Sequence, residues 1–385
     1  MPGFAAKDGP ETQRVYALSI HSDYECHRSG VCCTSDWDVP VELPLYRSLN
    51  EAIVDGCLRP IAATAGDPVL MTSPDLPDGA AAMVARSPAG DCVFYHRGSG
   101  LCVIQRDAGT SLLPATCRYF PRLAVRDWRG TFITLTHYCP TAAAMLFRED
   151  RPLEIVESPP AFPAANYEGL VITPEDWPPL LHPRMMMDHP GYFAWERHMV
   201  TRCAEDEVSP ESVVATLARD ARVLRQYQPE HGTIEGSVAS LPRGFVHASA
   251  PSDLTESLER FAEAIEAVPD DMKPPADEDR LADAYADLVR DEWTRWKWPL
   301  KRYLATKAFA SWTAYQGRGI LSIVRGLEAA LALVRVEAAR QCRNTGCALD
   351  ADHLREGFRN ADFLLNHLAA GDELAAKWSL VEGDG

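Results

Sequence analysis

The hydrophobic positions change their spacing partway along the chain. From Ser209 onward they recur at intervals of three and four, the period of a helix with one buried face. Val213, Val214, Leu217, Leu224 and Tyr227 form one stripe, and Leu254, Leu258, Phe261, Ala262 and Ile265 a second. Ile320, Ile323, Val324, Leu327, Leu331, Val334 and Ala338 form a third and longer one, and Leu354, Phe358, Phe363 and Leu364 mark a closing helix. Ser209-Pro210 reads as a helix start, because serine caps an early backbone N–H and proline at the first position has no donor to lose. Such stripes pack against one another as a bundle core.

Before residue 150 no such period holds. Leu123–Val125 and Thr131–Thr136, set around Arg126-Asp127-Trp128-Arg129-Gly130, predict a β-hairpin. The Pro-, Gly- and Asp-rich stretch Pro60–Pro88 predicts loops. Nine prolines between Arg151 and Pro190 remove backbone donors and predict a connector that wraps the surface. The expected fold is therefore mainly α: a loop-rich, cysteine-dense unit over 1–150 with a small β-hairpin, a Pro-rich connector over 151–190, and an all-helical bundle over 191–385.

With 385 residues the chain can build a core without disulfides or metal. Lys and Arg number 38 against 55 Asp and Glu, a net charge of −17, which disfavours a nucleic-acid partner. The excess is uneven, acidic from 251 to 289 and basic from 290 to 343. The plainer reading is that these two segments pair with each other. No apolar run approaches a membrane span, and the first residues carry no secretory pattern. The expectation is a cytoplasmic protein with no membrane partner.

Eight of the eleven cysteines precede residue 140. Seven of them fall in four short elements: Cys26-His27-Arg28-Ser29-Gly30-Val31-Cys32-Cys33, Cys92 to Cys102, Cys117-Arg118-Tyr119-Phe120-Pro121, and His137-Tyr138-Cys139-Pro140. Thiolates are soft ligands suited to zinc, copper(I) and iron–sulfur clusters. Gly30 and Gly98–Gly100 permit the positive-φ turns that ligand loops use. Buried free cysteines and a disulfide framework are the competing readings, and the clustering in an unsecreted chain weighs against both.

These elements resemble a bacterial cysteine-cluster family, the YkgJ-type zinc- or iron-chelating proteins. The resemblance rests on Cys26, Cys32, Cys33, Cys92, Cys102, Cys117 and Cys139, and most closely on Cys117-Arg118-Tyr119-Phe120-Pro121. It makes those seven cysteines the metal-ligand candidates, with Arg118 and Tyr119 supporting them. The family's second cysteine is Ser29 here, so seven thiols remain where two four-cysteine sites need eight. Either Cys57, His27, His96 or His137 completes a second site, or only one site exists.

Lys301–Thr306, the helix Ile320–Ala339 and the closing Leu354–His367 look similar to the helical half of the flagellin lysine-N-methylase branch. That resemblance implies an iron–sulfur cluster, of the 4Fe-4S kind, S-adenosylmethionine as methyl donor, and a flagellin-like protein substrate. No G-x-G-x-x-G between a strand and a helix and no C-x-x-x-C-x-x-C is present, so the residues alone name neither a dinucleotide-type methyltransferase nor radical chemistry. The alternative is a zinc-stapled interaction module without chemistry. Trp293 to Tyr303 interleaves aromatic and basic residues, a pattern for docking an acidic partner or for a helix with buried tryptophans and snorkelling basic ends. Met185–Met187 reads as core filling, and Cys203, Cys342 and Cys347 stand outside the site.

Overall fold

The structure is a computed structural model, and it describes residues 14–35, 37–61, 68–74, 76–163, 167, 171–172, 179–273, 280–311 and 319–379. The chain opens with β1 (Val15–Leu18), α1 (Val31–Thr34), β2 (Pro40–Glu42) and α2 (Leu43–Val54). β3 (Leu70–Met71), β4 (Ala80–Val84), β5 (Tyr95–His96) and β6 (Leu101–Cys102) follow. Next come α3 (Ala115–Tyr119), β7 (Arg122–Asp127), β8 (Gly130–Leu135) and α4 (Pro140–Met145). β9 (Ile155–Glu157), β10 (Val171–Ile172), β11 (Leu180–His182) and β12 (Met185–Met186) complete the strands.

β7 and β8 pair antiparallel from Arg122↔Leu135 to Asp127↔Gly130, so the expected hairpin is present. It is the middle of a larger sheet, ordered β10-β7-β8-β1-β9, to which β1 adds in parallel with β8. A second sheet runs β2-β4-β3. This corrects the reading of a loop-rich unit with one hairpin. β3 and β4 lie inside the stretch expected to be loops, and the Pro-rich segment contributes β9 and β10 to the central sheet instead of only wrapping the surface. Such strands are too short for an alternation of apolar and polar residues to emerge in the sequence.

Beyond residue 188 the described chain is helical: α5 (His189–Ala204), α6 (Pro210–Leu224), α7 (Ile234–Ala239), α8 (Thr255–Glu266) and α9 (Leu281–Ala284). Then come α10 (Arg290–Trp293), α11 (Lys297–Ala308), α12 (Ile320–Thr345), α13 (Ala351–Phe363) and α14 (Gly371–Ser379). Ser209 caps α6 by accepting the Ser212 N–H at 3.1 Å, with Pro210 at the first position, as expected. In the second stripe Ala262 faces solvent while Ser257 and Ala264 are buried. α12 is covered by α6, α8, α11, α13 and α14, which explains why it is apolar nearly all round. It ends at Gly346, whose φ of +70° supplies the left-handed turn after the last residue.

The two faces of the central sheet are divided by the alternation of a strand. Leu18, Val125 and Phe132 join the large helical core, while Val15, Ala17, Ala124, Ile133 and Leu135 join a smaller one with α4. A third, separate core lies between α2 and β4 and holds Val41, Leu49, Val93, Phe94 and Val103. Among the described residues no helix is long and apolar enough to cross a membrane.

Two charge expectations change. Trp293, Lys301, Arg302 and Tyr303 are buried while Arg295 stays 71% exposed, so the run has the expected buried tryptophan and exposed basic end but buries its last two basic residues. Lys301 Nζ donates to the carbonyls of Glu205 and Asp206, and Arg302 donates to those of Leu146 and Arg151 at 3.2 Å. Among the described residues, the ion pairs seen on α12 run elsewhere than to α8. The basic residues pair within a turn, as Arg325 with Glu328 and Arg340 with Glu337, or with other elements, as Arg335 with Glu211.

Candidate thiol site and the buried network beside it

Five of the seven candidate cysteines come together. α1 presents Cys32 and Cys33, whose Sγ atoms are 4.0 Å apart. The segment holding Cys92 is tied to α1 by the backbone, since Cys92 N–H donates to the Cys33 carbonyl at 2.8 Å. β5 and β6 then pair Tyr95 with Cys102 and bring that thiol against Cys33. α3 closes the group with Cys117, which feels Cys32, Cys92 and Cys102. Gly30, at φ +77°, starts α1, and a Cβ there would stand 2.6 Å from the Tyr95 hydroxyl. Glycine is required at that point both for the turn and for the close approach. Gly100 also has positive φ.

Cys26 and Cys139 form a separate pair. Cys139 is buried 3.7 Å from the Tyr24 hydroxyl, and Cys26 acts on both of them. The residues expected to complete a second site do not join either group. Cys57 is exposed, His96 Nδ1 is occupied by Ser99 Oγ at 2.8 Å, and His137 Nδ1 faces Asp362 at 3.1 Å. Arg118 donates to the Leu113 carbonyl at 2.8 Å, which braces the start of α3, and Tyr119 packs on Tyr167. Cys203 and Cys342 are buried in the helical core, as expected of residues outside the site.

The thiols differ in charge. The Cys33 S–H bond holds Cys102 down at about 6, despite burial, with help from the backbone N–H groups of Gln105 and Ile104. Cys33 is pushed up by the same contact, because it is the donor. Burial pushes Cys92 up to about 11 and raises Cys117 well above its ordinary value. A group of this kind fits a soft cation, which would pull the remaining protons off. Among the described residues no three His, Cys, Asp or Glu side chains are already set as a metal-binding group.

A second constellation was not anticipated. Asp362, fully buried on α13, accepts from Tyr303 Oη at 2.7 Å and from the His137 N–H at 2.5 Å, and faces His137 Nδ1 at 3.1 Å. Lys307 completes its ion pair. His137 Nε2 lies 3.4 Å from His21 Nε2, and Thr136 Oγ1 lies 3.2 Å from His367 Nε2. Although burial works against charge, Lys307 and the His137 contacts hold the Asp362 carboxyl well below the usual range. Burial lowers His21 and His137, and lowers His367 to about 4, so all three are neutral at pH 7. The only signal of this network in the sequence is an acidic residue inside the apolar run Ala361-Asp362-Phe363-Leu364; its partners are scattered from 21 to 367.

Set beside known proteins, the chain matches no family model, no curated protein and no solved structure.

Proposed function

We propose that this is a metal-binding protein in which Cys32, Cys33, Cys92, Cys102 and Cys117 supply the ligands for zinc or an iron–sulfur cluster. The supporting observation is that thiols from four separated segments meet at one place, on loops anchored by Gly30 and by the Cys92–Cys33 backbone bond. A buried free thiol acts as a small apolar group, and the large core uses Cys203 and Cys342 singly in that way. Five together at the margin of a small core need a different account. Cys26 and Cys139 provide a second, two-thiol position. Bound zinc would staple the loops, whereas a cluster would add electron transfer.

Protein-lysine methylation with S-adenosylmethionine is the finer reading. Its support is the likeness of Lys301–Thr306, Ile320–Ala339 and Leu354–His367 to the helical half of the methylase branch, and this reading would put the protein in the reducing cytoplasm, where its eleven unpaired cysteines would stay thiols. Anaerobic purification followed by metal and acid-labile sulfide analysis tests the site. Iron with matching sulfide, or one zinc per chain, is the expected result, and metal-free folded protein overturns it. Transfer of label from methyl-labelled S-adenosylmethionine to a flagellin-like substrate tests the activity. Zinc-loaded protein without transfer leaves the stapled interaction module.

A further inference from the structure

A cavity of about 710 Å³ opens between the β7–β8 face of the central sheet and the helices α11, α12 and α14. That volume lies within the range of small-molecule sites. Its body is apolar, with Val125, Ile323 and Leu374 among its walls. Its polar groups are unevenly placed. Lys307 and Asn366 stand at the helical end, where α11 ends and the chain leaves α13, and Glu42 and Asp78 stand by β2 and β4.

The helical end is rich in donors. Asn366 Nδ2 is buried and has no hydrogen-bond partner. An amide donor out of water costs stability unless an acceptor reaches it. Lys307 is ion-paired with Asp362, whose carboxylate also accepts from Tyr303 Oη and the His137 N–H. An ammonium has three N–H donors, and one ion pair does not exhaust them. Arg122, which also lines the cavity, has a backbone carbonyl and two aromatic faces for neighbours.

We propose that this cavity binds a small organic carboxylate with an apolar body. The carboxylate meets Lys307 and Asn366, and the body lies along α12 and α14. The proposal does not rest on the metal reading.

Isothermal titration of the full-length protein with decanoate and with 4-phenylbutyrate tests it, decan-1-ol being the uncharged control. Saturable one-to-one binding of either acid is expected, with decan-1-ol at least about tenfold weaker. Which acid binds more tightly distinguishes an aliphatic from an aromatic body. Asn366→Leu should weaken binding about tenfold while the thermal unfolding midpoint holds or rises, since it removes an unpaired donor. Lys307→Met should weaken it further, but leaves Asp362 short of a partner, so Asn366→Leu is the decisive variant. No binding of either acid, equal binding of decan-1-ol, or unchanged affinity in folded Asn366→Leu overturns the proposal.

Discussion

The helical region and the cysteine-bearing region solve the problem of stability differently. The helices share one large apolar core, which reaches into one face of the central sheet. The thiol group sits instead on the margin of a small core, where Cys92, Cys102 and Cys117 are only partly buried against Phe94 and its neighbours. Apolar area removed from water scales the stabilisation, so the first region holds itself while the second gains most from an added cross-link. The buried Asp362 network lies where the two regions meet, with His21, Thr136 and His137 on one side and Tyr303, Lys307 and His367 on the other.

The sharpest way to break this contrast is at the joint between sheet and helices. Arg129 bonds Asp127 at 2.7 Å and Glu196 at 2.6 Å, and both carboxylates are inaccessible to solvent. Arg129→Met should cost about 3–5 kcal/mol by removing the cation that the two buried carboxylates share, measured by urea unfolding. A loss below about 1 kcal/mol would show that the sheet and helices do not depend on this link. Leu333→Ala, in the middle of α12, should cost about 2–5 kcal/mol through the cavity it leaves, with metal content unchanged in the folded fraction.

Cys117→Ser should do the reverse. Metal stoichiometry should fall, because a hydroxyl is a poor replacement for a thiolate, while helical circular dichroism stays intact. Cys203→Ser should leave metal untouched, and equal metal loss in both variants would return Cys117 to an ordinary core role. Gly30→Ala should destabilise by more than about 1 kcal/mol and lower metal content with it, since both the φ of +77° and the Tyr95 ring oppose a Cβ.

The smallest effect is that of pH. Burial holds His21, His137 and His367 below the ordinary histidine value. The unfolded chain takes up protons near pH 6.5 that the folded chain refuses, His367 until about 4. Stability contributed by these groups is therefore complete above about pH 6.5 and declines as pH falls below it. The thermal midpoint should drop between pH 7.5 and 5, and His367→Gln should flatten that slope. A midpoint that rises on acidification would contradict the assignment.

Much of the helical region could be read from residue spacing. α6 begins at the Ser209-Pro210 cap, the α12 stripe is buried along its length, and those of α6 and α13 are buried except for half-buried Tyr227 and Phe363. The strands beside the thiols could not be read so well, because elements of two to five residues such as β3 and β4 show no period. Leu123–Val125 and Thr131–Thr136 were visible as a pair, but not their place at the centre of five strands.

The sequence by itself determined which residues are chemically able to hold a soft metal and where long helices run, since thiol chemistry and helical periodicity are local properties. Only the tertiary structure decided that Cys32, Cys33, Cys92, Cys102 and Cys117 form one group while Cys26 and Cys139 form another. It also decided that Asp362 meets His137 and Lys307, and that Lys301 and Arg302 are buried among carbonyl oxygens. Those outcomes depend on which distant segments pack together, and packing follows from the shape and burial of whole elements, which no short window of residues contains.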